Sequence, residues 1–453
     1  MSAPLSRTDA RPAAPIRLLH LGMGNFHRAH QAWYTEHSAD ADQWGYAEFA
    51  GHDTPMVDDL NAQGGAYTLL VRGADADRPE VIGVIAATHQ ATDHEAWLGY
   101  WESPGLAIVT ITVTEFGYCR ADDGGLDFDN PAVAADLAML QTDARGLVVS
   151  APGRLLAGIL ARVAAGQGPV AVFSCDNLPD NGKVARRVVG DLAARLGPEA
   201  VAAVEAQAWV TSMVDRITPR ATDVEIAAVA ELTDRVDRVP VVTEPFSEWV
   251  IAGDFPAGRP EWPGATFVDD VEPFEQRKLW LLNGSHSLMA YAASARGHEA
   301  VSDAINDPVV RAWVEEWWDE AVRHLTLDAD HLAAYRAALA ERFANPNIRH
   351  LLAQIAADGS QKVPVRILPT LRAELADGRS GRGAARVVAA WIRHLRGAGA
   401  PVVDGAGQRF VTAAEGPDAT AAVRGVLNEL DPALATDEVV SLVDGLVGEL
   451  ARS

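Results

Sequence analysis

A chain of 453 residues is longer than one hydrophobic core ordinarily grows, so two domains are expected. Hydrophobic residues make up 48% and charged residues 22%, the balance of a globular protein rather than a disordered one. A formal charge of −24 argues against nucleic acid or anionic membrane as a partner, but not against an anionic cofactor held in a local pocket of amide donors.

Cys119 and Cys175 are the two cysteines, too few for a Cys-rich zinc site, and a chain of this size needs no disulfide scaffold. The polar segment before Ile16 lacks the apolar stretch of a signal peptide. No apolar run approaches the roughly 18 residues that span a bilayer. A cytoplasmic protein is expected.

In chain order, Ile16–Leu21 is a short apolar run ending at Gly22 and reads as a buried strand, with a helix over 30–37. Further strands are predicted over 45–50, 67–71, 81–85, 107–113 and 170–174, with helices over 132–140 and 154–165. Strands alternating with helices imply an α/β fold with a mostly parallel sheet covered on both faces. Beyond Glu272 the pattern turns helical, over 311–325, 331–342, 347–357, 383–396 and 418–429. The boundary is expected near the proline-rich stretch 255–263, giving an α/β domain over 1–255 and a mostly α-helical domain over 256–453.

The first strand runs into Gly22-Met23-Gly24-Asn25-Phe26-His27-Arg28-Ala29-His30. A strand, then Gly-x-Gly, then a helix lets backbone amides approach a pyrophosphate at a helix N-terminus. The third glycine of the usual fingerprint is replaced by His27, so the motif alone also fits a tight strand-to-helix turn. Arg28 close by adds weight to the cofactor reading. The acidic residue that hydrogen-bonds the adenosine ribose is assigned to Asp53, although it lies beyond the usual spacing and equally fits a solvated loop carboxylate. With Asp53 in that role, NAD is preferred over NADP.

A second cluster runs Glu275-Gln276-Arg277-Lys278-Leu279-Trp280-Leu281-Leu282-Asn283-Gly284-Ser285-His286. Taking a hydride from an alcohol carbon requires a base for the hydroxyl proton and donors for the developing oxyanion. A lysine with a depressed pKa can be that base, and asparagine and histidine are natural donors. On a straight helix Glu275, Lys278 and His286 share one face, yet Lys278 and His286 stand roughly 12 Å apart. Either the helix breaks at Asn283-Gly284 or His286 touches another part of an extended substrate. An amphipathic helix with incidental polar residues remains the plainer alternative.

Taken together, the glycine segment and Lys278-x4-Asn283-x2-His286 resemble the paired signatures of the mannitol dehydrogenase family, the polyol-specific long-chain dehydrogenases/reductases. Blocks at Thr112-Val113-Thr114-Glu115-Phe116-Gly117-Tyr118, Ser174-Cys175-Asp176-Asn177, Met213-Val214-Asp215-Arg216-Ile217-Thr218-Pro219 and Glu244-Pro245-Phe246-x-x-Trp249 follow in the same order. The likeness runs from about residue 16 to at least 370. Phe116, in the variable position of its block, and Thr243, just before the Glu-Pro-Phe block, are where a different substrate branch would show.

The resemblance implies a Rossmann-like N-terminal domain and a helical C-terminal domain, with no metal. It makes Lys278 the general base, Asn177 and Asn283 the groups that polarise the reacting oxygen, and His286 a positioning residue. Asp215 is expected to hold a substrate hydroxyl or orient the lysine, or else to pair with Arg216. Glu275 either carries the proton to solvent or pairs with Lys278. Lys362 and Arg366, on what reads as a polar loop over 359–366, are candidates for distal substrate contacts. The expected activity is NAD-dependent interconversion of a polyol, mannitol or arabinitol in type, with its 2-ketose. Reduction of a hexuronate such as fructuronate or tagaturonate is the alternative, and a non-catalytic NAD-binding redox sensor the remote one. The family likeness points to a monomer.

Overall fold

A computed structural model describes residues 2–452. The chain divides into two compact units, Met1–Glu272 and Pro273–Ser453. The proline-rich stretch expected to cross between domains therefore lies inside the first unit, and the first unit extends past residue 255. Trp262 is buried there, with its ring 4.6 Å from that of Trp249 and 5.7 Å from that of Phe255.

The strands of this unit that concern the site are Ile16–Leu21 (β1), Gly45–Phe49 (β2), Tyr67–Arg72 (β3), Asp77–Ile82 (β4), Ile85–His89 (β5) and Ile108–Ile111 (β6). They are followed by Ala171–Ser174 (β7), Ala208–Asp215 (β8), Val241–Thr243 (β9), Glu248–Ala252 (β10) and Thr266–Phe267 (β11). The large sheet has the order β11-β10-β8-β7-β6-β1-β2-β5, while β9-β3-β4 form a separate sheet. From β8 to β5 every pairing is parallel, and β10 joins β8 antiparallel. Counted in chain order, the parallel strands read 6-5-4-1-2-3, the arrangement that binds dinucleotides where the strand order reverses.

Helices cover both faces, so the strands are apolar on both sides instead of alternating. On one face Leu19, Leu21, Val109 and Ile111 pack with Trp97, Leu155 and Leu156; on the other Leu18, Tyr46, Ile108 and Phe173 pack with Trp249. The helices used below are Asn25–Ala29 (α1), Gln31–Glu36 (α2) and Ala151–Ala164 (α3). Ser150 caps α3 by accepting from the Gly153 amide at 3.0 Å, with Pro152 in the first turn. Residues 81–85, expected as one strand, are divided: Val81 and Ile82 end β4, Gly83 and Val84 form the link, and Ile85 begins β5. The Gly83 amide there donates to Glu36 Oε2 (2.9 Å) and not to a neighbouring strand.

The second unit is helical. Its longer helices include Pro308–Ala321 (α4), Ala329–Ala344 (α5), Arg382–Leu395 (α6) and Asp437–Arg452 (α7). Helix α6 is its core element, with Val387, Val388, Trp391 and Ile392 almost wholly buried. Of the helix expected over 347–357, only Leu352–Ala356 forms. Residues 359–366, expected as a loop, are a helix, Gly359–Arg366.

Candidate functional site

The glycine turn sits at the carboxyl end of β1. Gly22 has φ +108°, and a Cβ there would lie 2.0 Å from the Thr112 carbonyl oxygen. Its amide and that of Met23 donate to the Phe49 carbonyl at the end of β2 (3.0 and 3.1 Å), locking the turn between two central strands. Gly24 differs. Its backbone is extended, and the nearest atom to an added Cβ is 3.6 Å away. Nothing among the described residues demands glycine there, and the bare backbone leaves room for close approach of a ligand.

His27 and Arg28 turn inward rather than toward a ligand. His27 is fully buried, with Nδ1 2.6 Å from Glu48 Oε1 and its ring stacked on His20 at 3.5 Å. A histidine thus fills the space where a third glycine normally brings helix against sheet. The helix breaks at His30, between α1 and α2. The Arg28 guanidinium, 1% exposed, donates to the Gly24 and Val239 carbonyls and to Asn25 Oδ1 (2.8 Å). It braces the turn from behind. Phe26 is half-buried and stacks on His30 at 5.1 Å.

A cavity of about 520 Å³ opens beside this turn, lined by Gly22, Met23, Gly51, His52, Thr112 and Arg154 among others. Asp53 is exposed, one residue past the lining, and its carboxylate accepts from the Thr92 amide and hydroxyl. Asn177 and Asp215 stand at the ends of neighbouring strands, Asn177 just beyond β7 and Asp215 as the last residue of β8. Asn177 is exposed and Asp215 buried. Arg216 spends its guanidinium on the Ala29 and Glu244 carbonyls. Before Asn177, burial pushes the Asp176 carboxyl up to about 6, and the Tyr118 hydroxyl donates to it.

In the second unit the segment carrying Lys278, Asn283 and His286 neither breaks nor runs as straight α-helix. Glu272–Arg277 is α, Lys278–Gly284 is π-wound, Ser285–Leu288 is α and Met289–Ala293 is again π. A π turn widens the helix and disturbs the regular carbonyl pairing, and such turns occur frequently at functional sites. The carbonyls of Trp280 and Leu281 are met from outside, by the indole N–H groups of Trp317 (2.9 Å) and Trp318 (3.0 Å) on α4. Gly284 makes room: a Cβ there would lie 2.7 Å from the Trp317 ring.

Arg366 donates to the Asn283 carbonyl (3.3 Å) and to Ser287 Oγ (3.2 Å). Burial lowers its guanidinium to about 10, so it stays charged at neutral pH. Lys362 donates to the Ile355 and Ala357 carbonyls (3.1 and 2.5 Å) at the end of helix Leu352–Ala356. Both basic residues thus support backbone. Lys278 and Asn283 are half-buried; His286 is 5% exposed, its ring 5.0 Å from Phe343 and 4.9 Å from His350. The sequence reading missed Arg154 and the Tyr118–Asp176 pair. The signal for Arg154 was an arginine near the start of an otherwise apolar helix that Ser150 caps.

A dinucleotide-type sheet joined in one chain to a helical unit defines the class of two-unit dehydrogenases. Residues 16–264 match the model of the mannitol dehydrogenase Rossmann domain, and residues 270–436 that of the mannitol dehydrogenase C-terminal domain. The chain belongs to the mannitol dehydrogenase family. It is 39% identical to the D-mannonate oxidoreductase of Escherichia coli (strain K12), over 84% of this chain and 80% of that one. It is 36% identical to the mannitol 2-dehydrogenase of Pyrenophora tritici-repentis, over 91% and 76%. Among solved structures, the Pseudomonas fluorescens mannitol 2-dehydrogenase ternary complex with NAD and D-mannitol superimposes with a TM-score of 0.80 at 30% identity, covering 99% of this chain and 97% of that one.

Proposed function

We propose that the chain is an NAD-dependent dehydrogenase that oxidises one secondary alcohol of a polyol to the 2-ketose and reduces the ketose back. The observation that carries this reading is the Lys278-x4-Asn283-x2-His286 element on a π-wound segment, tied down through its backbone by Trp317, Trp318 and Arg366. Such fixing of groups that meet a reacting atom is what catalysis by positioning requires.

The cavity beside Gly22 and the open approach at Gly24 suit the dinucleotide, which when bound supplies the hydride acceptor. Lys278 takes the proton of the substrate hydroxyl and returns it in the reverse direction. Asn177 and Asn283 donate to the oxygen as it gains carbonyl character, and His286 positions the substrate. Asp215 holds a substrate hydroxyl. Asp53 favours NAD over the 2′-phosphorylated cofactor.

A sugar acid is the second reading, favoured by the 39% identity to a D-mannonate oxidoreductase. A uronate wants an additional cation at its carboxylate. Arg366 and Lys362 already serve backbone carbonyls, which favours the neutral polyol. The test is NADH oxidation with fructose, fructuronate and tagaturonate, and NAD reduction with mannitol, arabinitol and mannonate. Turnover confined to the acids would overturn the polyol assignment; turnover with none would overturn both.

A further inference from the structure

Arg154, in the first turn of α3, is a guanidinium inside the first unit that the fold uses only in part. It is 2% exposed and lines the cavity beside Gly22. Nη1 donates to the Ala50 carbonyl at 3.1 Å, and the cation lies over the rings of Trp97 (4.9 Å) and Phe49 (5.6 Å). Nη2 is buried and has no hydrogen-bond partner among the described residues. Buried donors are nearly always paired, the more so on a charged group. Burial brings this guanidinium down to about 10, leaving it charged at neutral pH.

Its place decides what could pair it. Ala50 opens the loop after β2, and Gly51 and His52 of that loop line the same cavity. In a sheet of this strand order the loop after the second strand meets the adenosine end of a dinucleotide, away from the nicotinamide. We propose that Arg154 is a recognition residue for the adenosine group, with Nη2 donating to an acceptor on that group while Nη1 holds the Ala50 loop around it. This rests on the reading of the cavity as a dinucleotide site.

The test is fluorescence titration of the full chain and of Arg154→Met and Arg154→Lys with NADH, ADP-ribose and reduced nicotinamide mononucleotide, which lacks adenosine. Loss of a charged hydrogen bond should raise Kd for NADH and ADP-ribose on the order of tenfold in Arg154→Met. Arg154→Lys, which keeps the charge without the fork, should fall between, and affinity for the mononucleotide should stay level across all three proteins. Arg154→Lys also serves should the methionine variant fail to fold. Wild-type ADP-ribose affinity in the variants would overturn the proposal and leave the dinucleotide site standing, with Arg154 a packing cation. Equal weakening for the mononucleotide would also overturn it. Wild-type protein that binds neither NADH nor ADP-ribose would instead bring down the dinucleotide reading itself.

Discussion

Arg366 holds Asn283 by its backbone: the guanidinium reaches the Asn283 carbonyl oxygen at 3.3 Å and bridges to Ser287 Oγ at 3.2 Å. A π turn leaves its carbonyls poorly met by the helix itself, so this outside donor helps to fix where the Asn283 side chain emerges. Arg366→Met should therefore lower kcat by up to about a hundredfold, the scale of a small misplacement of reacting groups. The Kd for NADH should not move, and Arg366→Lys should restore part of the rate. A fall in NADH affinity as large as the fall in kcat would show that Arg366 does something other than position this turn.

Lys278 carries the proposed proton transfer. Lys278→Ala should cost about 10² to 10⁴ in kcat while NADH titration remains close to wild type. Stopped-flow measurement of the hydride step separates this from slow product release. Survival of the rate would remove Lys278 from the chemistry, whatever the family likeness.

The two glycines of the turn should respond oppositely to alanine. Gly22→Ala forces a side chain into a left-handed backbone and against the Thr112 carbonyl at 2.0 Å, so it should destabilise by several kcal/mol, roughly 2–4, or fail to fold. Gly24→Ala meets no protein atom closer than 3.6 Å and should keep its thermal midpoint within about 2 °C. Its effect should be on NADH, whose Kd should rise by about tenfold or more as the methyl blocks the backbone approach. A Gly24→Ala protein with wild-type affinity would mean that the dinucleotide does not pass over this residue.

Strands β1, β2, β6 and β7 were legible because parallel strands buried on both faces must be short apolar runs closed by turn residues. β8 was not, since Thr211 and Ser212 interrupt its apolar run, and the Ser212 hydroxyl is satisfied only from a neighbouring strand, donating to the Ser174 carbonyl on β7. The helix Gly359–Arg366 was read as a polar loop carrying two basic residues. It forms because Gly359 packs hard against Trp391 and Tyr291, and Lys362 ties it to the preceding helix. The signature residues could be picked out by spacing, but the π winding that displays them could not. It depends on indoles more than thirty residues further along the chain, a tertiary effect that local periodicity does not carry.

A last prediction concerns the acid limb of stability in the second unit. Glu374 is buried, 1% exposed, and accepts from Arg323 Nη2 (2.7 Å), Arg379 Nε (2.9 Å) and His324 Nε2 (2.6 Å). Burial by itself would raise the carboxyl, but the hydrogen bonds overcome it and bring the pKa down to about 2, from an ordinary 4.5. A carboxyl depressed on folding contributes stability that is present above its unfolded value and drains away as pH falls through the folded one. The window here is therefore from about 4.5 down to about 2. Glu374→Gln, which keeps the shape and removes the charge, should cost about 1.5 to 3 kcal/mol at pH 7. The gap from wild type should narrow as unfolding is repeated at pH 4, 3 and 2.5. A gap of the same size at pH 7 and pH 2.5 would mean that shape, and not the charge gathered from Arg323, Arg379 and His324, is what Glu374 contributes.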